Sequence, residues 1–296
     1  MACSNAGPFM LNVVPQMPQF HVVRRVLFLL IACFSLMLSG SALAGGKDGV
    51  AGPLAGDIVG AGRLRMQSQR LSKLYQQAGM GLNAAQATQQ ISVSMGELDA
   101  ELARLGTSPR KPNVGRVLNR CEALWQEMRA ALKVAPGTAS TERVNQLADE
   151  LMIHAGKLSM QIEAESDTPV GRLIDQSSRL NMLSQRLARL YLLVQGGSRS
   201  QGVLVDIEQA RKEFSTGLNE LSTARENSPA SSDAVGLAKN QWIFFESAIN
   251  RLGAGDRGDT KALQNVVTSS ERIAQVLDLA SAQYARDYTE ATRQPR

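Results

Sequence analysis

From residue 54 to about residue 290, apolar side chains recur every third or fourth position. This is the spacing of amphipathic helices, and the series breaks only where Gly and Pro gather. The breaks are Gly79–Gly81, Ser108-Pro109, Ala135-Pro136-Gly137, Thr168-Pro169, Gly196-Gly197, Ser228-Pro229 and Gly253–Gly258. Between them the pattern predicts helices near 54–80, 84–106, 112–134 and 140–165, then 170–195, 202–226, 230–252 and 258–290. Strand signals are essentially absent. Aromatic residues are 4% of the chain, so Leu, Ala and Met must fill the core positions, as in helix bundles. Short connections make consecutive helices antiparallel neighbours.

The pattern is written twice. Residues 62–75 and 178–191 share nine of fourteen positions at an offset of 116. The identities include Arg63/Arg179, Ser68/Ser184, Gln69/Gln185 and Arg70/Arg186, which packing alone does not demand. Ser108-Pro109 also matches Ser228-Pro229, and Trp125 with Leu132 matches Trp242 with Ile249. The expected fold is therefore all-α: two tandem antiparallel four-helix bundle repeats, 54–166 and 167–291. Each carries a core Trp on its third helix.

The first 44 residues read as an export signal. Arg24-Arg25 precedes an apolar run from Val26 to Leu38, then Ser-Gly-Ser-Ala-Leu-Ala, with cleavage expected after Ala44 and Met17 as an alternative start. The run is shorter than the ~20 residues of a spanning helix. Retention as an uncleaved inner-membrane anchor is the other reading. Residues 45–53 form an expected flexible leader, and 292–296 an expected frayed tail. The destination is a bacterial periplasm, reached through Sec.

Net charge is +5, and two of those charges are Arg24 and Arg25. The exported part is only mildly basic, so nucleic acid is not an expected partner. Cys3, Cys33 and His21 lie in the presequence, leaving Cys121 and His154 alone. That count excludes an internal disulfide and leaves no metal site, cofactor or His-based triad to expect. The adjacent acids Asp149 and Glu150 do not converge on a helix. Glu163, Glu165 and Asp167 fit no metal spacing. An enzyme is not expected.

On a helical wheel, Leu64, Leu71, Leu74 and Tyr75 share the core face of the opening helix. Ile58, Gly62, Arg65 and Gln69 share another, and Arg63 and Arg70 a third edge. Gly62 in mid-helix costs ~1 kcal/mol relative to Ala, a cost usually offset by close approach of a backbone or ligand. A second helix is expected there, with Arg65 aimed into the seam. Two such guanidinium groups ~7 Å apart repel by ~2 kcal/mol at an effective dielectric of about 20, and a small flat oxyanion between them relieves this. The alternative reading of these arginines is a solvated face paired with nearby acids.

Ala61-Gly62-Arg63-Leu64-Arg65-Met66-Gln67-Ser68-Gln69-Arg70-Leu71 resembles the periplasmic ligand box of nitrate/nitrite sensor histidine kinases. It is equally similar to the PilJ-type N-terminal domain of type IV pilus methyl-accepting chemotaxis transducers. The resemblance implies a helical sensor for nitrate or nitrite, bound at a seam between two opening helices by the Arg before Met. Here that is Arg65, with Gly62, Gln69, Arg63 and Arg70 around it. The second repeat offers Arg179, Asn181, Gln185 and Arg186, but departs where Asn181 replaces the binding Arg and Ser178 the Gly. The opening helices are expected to pair in a homodimer, Arg65 to Arg65, or within one chain, Arg65 to Asn181. The resemblance also implies a sensory half without output, signalling through a sensor kinase, transport, or pilus/chemosensory partner. A ligand-independent helical adaptor is the competing expectation.

Overall fold

In the computed structural model the apolar periodicity becomes eight helices among the described residues. They are α1 (Pro53–Gly79), α2 (Ala84–Thr107), α3 (Pro112–Ala131), α4 (Thr138–Glu163), α5 (Val170–Gln195), α6 (Gln201–Thr223), α7 (Pro229–Ala254) and α8 (Thr260–Arg293). The structure describes residues 53–109, 111–166, 168–254 and 259–293, and of 251–254 the backbone only. The signal segment 1–44 lies outside the described residues. Of the expected leader only Pro53 is described, and it opens α1 instead of preceding it. Proline suits a first turn because its missing N–H has no helical acceptor. α8 continues to Arg293, with the Thr292 hydroxyl donating back to the Tyr288 carbonyl, and the rest of the expected tail, 294–296, lies outside the described residues.

α1 packs on α2 and α4, and α4 on α3; α5 packs on α6 and α8, and α8 on α7. The two quartets meet along α1 and α5. These two run parallel: Ile58 lies against Gly171, Gly62 against Ser178, and Lys73 reaches Gln185. Each is antiparallel to the last helix of its own quartet, as Gln69 meets Ala148 and Gln185 meets Ser270. Flanked on several sides, α1 buries almost every residue from Asp57 to Gln77. This explains why its sequence is polar yet not amphipathic.

The turns that end α1 and α5 are alike. Leu82 N–H bonds back to Gln77 O and Ser198 N–H to Leu193 O, closing each helix in a Schellman-type cap. The residues between, Gly81 and Gly197, have φ of 72° and 103°, the left-handed region glycine enters without penalty. Both tryptophans lie in the core as expected. Trp125 donates to Asp99, and Trp242 stacks on Phe214 with ring centres 4.1 Å apart.

Candidate functional site

The repeated motif lies on the α1–α5 seam. The helices approach closely at Gly62, where a Cβ would sit 2.4 Å from the Ser178 Cβ. The expected close helix is therefore α5 of the same chain. Ser68 and Ser184 turn their hydroxyls back to the carbonyls of Arg65 and Asn181, three residues earlier. Gln69 donates to Ala148 O on α4, and Gln185 to Ser270 O on α8. Positions 116 apart in the chain thus do the same work in both quartets.

The seam carries two ion-pair clusters, each formed across the quartets. Arg70 and the fully buried Lys73 on α1 converge on Glu271 of α8, Arg70 at 2.8 Å. Arg186 and the buried Arg189 on α5 converge on Asp149 of α4, Arg189 at 2.7 Å. Burial alone would raise the Glu271 carboxyl, but Lys73 and Arg70 outweigh it and hold it down to about 2. Burial pushes the Lys73 ammonium down, with Glu271 pulling it back. The same balance, burial against Asp149, acts on Arg189.

Arg65 is buried where α1, α4 and α5 meet, beside Gly156. Its Nη2 donates to the Asp175 carboxylate at 3.1 Å and to the Asp175 carbonyl at 3.2 Å, while its Nε has no partner among the described residues. The Ser159 hydroxyl donates to the same carboxylate oxygen. Burial pushes the guanidinium down, Asp175 pulls it back up, and nearby Arg179 pushes it down again. The expected opposition of Arg65 to Asn181 does not form. In two parallel helices, equivalent positions at the contact face each other, as Gly62 and Ser178 do, but those flanking it turn to opposite sides: Arg65 goes toward α4, and Asn181 toward α8, donating to Ala274 O.

The remaining arginines sit nearer solvent. Arg63 reaches Asp278 at 3.3 Å, and Arg179 reaches Glu213 at 2.7 Å. Arg186 also holds Asp206 at 2.9 Å. Arg63 and Arg70, placed on one edge by the wheel, line a cleft of about 530 Å³ between α1, α2 and α8. The wheel did not single out Lys73, Arg189 or their carboxylates. The available signal was a basic residue at this position in both copies of the motif, four residues after the identical Gln69/Gln185.

Among the described residues no cluster of three His, Cys, Asp or Glu side chains could hold a metal, and no helix is long and apolar enough to cross a membrane. No curated protein and no solved structure matches the chain. Residues 54–151, from α1 into α4, match the family described as Type IV pili methyl-accepting chemotaxis transducer N-term, or PilJ. The similarity to that transducer N-terminal domain therefore covers α1, α2, α3 and the first half of α4.

Proposed function

We propose that this chain is an exported periplasmic sensor for a small oxyanion, nitrate or nitrite, built from two copies of one helical unit and signalling through a partner. The observation that carries the reading is Arg65: a buried guanidinium in a three-helix seam, with one carboxylate partner and an unpartnered Nε. Asp175 occupies the place of the oxyanion. A nitrate that displaced it would take both the Nη and Nε edges in a planar fork. Because Asp175 belongs to α5, the exchange would loosen α5 from the α1–α4 pair, and that movement is the signal.

Calorimetry with nitrate and nitrite on residues 45–296 tests this. Asp175→Asn should bind at least several-fold more tightly than wild type, because the internal competitor loses its charge, and Arg65→Ala should not bind. No uptake at millimolar anion by wild type or by Asp175→Asn would sink the oxyanion assignment.

A second reading is a ligand-independent adaptor for a pilus, chemosensory or sensor-kinase system. It is favoured by the two ion-pair clusters, which already neutralise the buried cations Lys73 and Arg189 without a ligand. A crosslinked partner whose capture is indifferent to nitrate and to Arg65→Ala would select it.

A further inference from the structure

The niche filled by Arg65 has a counterpart in the other quartet. The matching bonds of Gln69 to Ala148 and Gln185 to Ser270 set the correspondence: 116 residues between α1 and α5, and 122 between α4 and α8. Asn181 then stands for Arg65, Ser281 for Ser159, Asp278 for Gly156 and Val59 for Asp175. The short Asn181 side chain leaves a cavity of about 10 Å³, lined by Val59, Arg63, Ser178, Asn181, Asp278 and Ser281 among others. That volume is room for one water-sized group.

Beside the Arg63 guanidinium and the Ser178 and Ser281 hydroxyls, the lining brings two acceptors to this space, Asn181 and Asp278. Asn181 is 4% exposed, and its Oδ1 has no hydrogen-bond partner among the described residues. Asp278 brings a carboxylate held only loosely, by Arg63 at 3.3 and 3.4 Å. The cavity is too small for a guanidinium and its acceptors disfavour an anion, but a primary ammonium matches both size and donor count. Arg63 can turn to Glu101, which it already approaches at 3.9 Å. The other quartet shows two cations tolerated side by side in the same arrangement. There Arg65 sits near Arg179, which pairs outward with Glu213.

The cavity shares Arg63, Met66, Asn181 and Asp278 with the cleft of about 530 Å³. Within that cleft Glu97 accepts from the Gln67 amide at 2.6 Å and has no ion-pair partner among the described residues. Gln67 itself is 7% exposed, and its Oε1 is unpartnered. We infer that the cleft between α1, α2 and α8 binds an aliphatic diamine or polyamine. One terminal ammonium sits in the Asn181 niche against Asp278, and a second sits against Glu97. The inference does not rest on the oxyanion reading, which concerns the opposite side of the seam.

The test is a calorimetric titration of residues 45–296 with putrescine, with n-butylamine and nitrate as separate arms. Putrescine should bind, n-butylamine at least tenfold more weakly, and Asp278→Asn should weaken putrescine at least tenfold. Asn181→Leu removes the unpartnered acceptor at nearly constant volume and should weaken putrescine at least tenfold. Should that variant not fold, Glu97→Gln serves in its place and should bring putrescine to the level of n-butylamine. Absence of putrescine uptake at millimolar concentration overturns the inference, as does equal binding by wild type, Asp278→Asn and Glu97→Gln. Nitrate uptake should be unchanged in Asp278→Asn, so the failure of one reading is distinguishable from the failure of the other.

Discussion

α1 and α5 share nine of fourteen positions over residues 62–75 and 178–191, and they lie side by side in the same direction. Where their sequences agree, their bonds agree: Ser68 with Ser184, Gln69 with Gln185, and Arg70 with Arg186 each do matching work. Where they differ, the two sides of the seam diverge. Gly62 against Ser178 lets the backbones close on each other. Arg65 fills its niche, whereas Asn181 leaves a small one open to other chemistry. Lys73 is sealed completely beneath Glu271, while Arg189 rests on a more exposed Asp149. The lesson is that polar identity between two helices can reflect mutual neutralisation across a seam as well as ligand binding.

The sharpest way to break the likeness is to remove one carboxylate at a time. Glu271→Gln leaves the buried Lys73 without its counter-ion and should cost roughly 3–5 kcal/mol in urea unfolding. Asp149→Asn should cost less, about 2 kcal/mol, because Asp149 is the more exposed carboxylate and water can replace it. Equal losses would mean that the two clusters are energetically interchangeable despite their different burial.

The contact between the helices is the next target. Gly62→Ala gains helix propensity but drives a methyl into Ser178, for a net loss of about 1–3 kcal/mol. Ser178→Gly in the same chain should restore most of it, and a double-mutant cycle measures the coupling. A smaller effect separates the clusters by pH. The Glu271 carboxyl, held down to about 2 in the fold, contributes stability that is complete above the ordinary carboxylate range near 4.5. That stability drains away as pH falls from there toward 2, and Glu271→Gln should flatten this part of a pH–stability curve. The smallest effect is a control outside the seam. Burial pushes the Cys121 thiol up to about 12, so it should resist iodoacetamide at pH 8 until the protein is unfolded in urea.

Apolar spacing, Gly and Pro punctuation and the repeated motif were enough to place the helices to within a few residues, and to mark the opening helix as special. They also pointed to a close neighbour at Gly62, because a mid-helix glycine implies an approaching surface, but left Arg65 open between that seam and a solvated face paired with acids. What the linear pattern could not supply was the identity of that surface. Glu271 lies 198 residues from Lys73, and Asp175 lies 110 from Arg65. Periodicity reports which face of a helix is covered, whereas an ion pair depends on which distant side chain arrives there and in which direction the covering helix runs. The parallel pairing of α1 with α5, and with it the turning of Arg65 toward α4 and Asn181 toward α8, was decided only by tertiary packing.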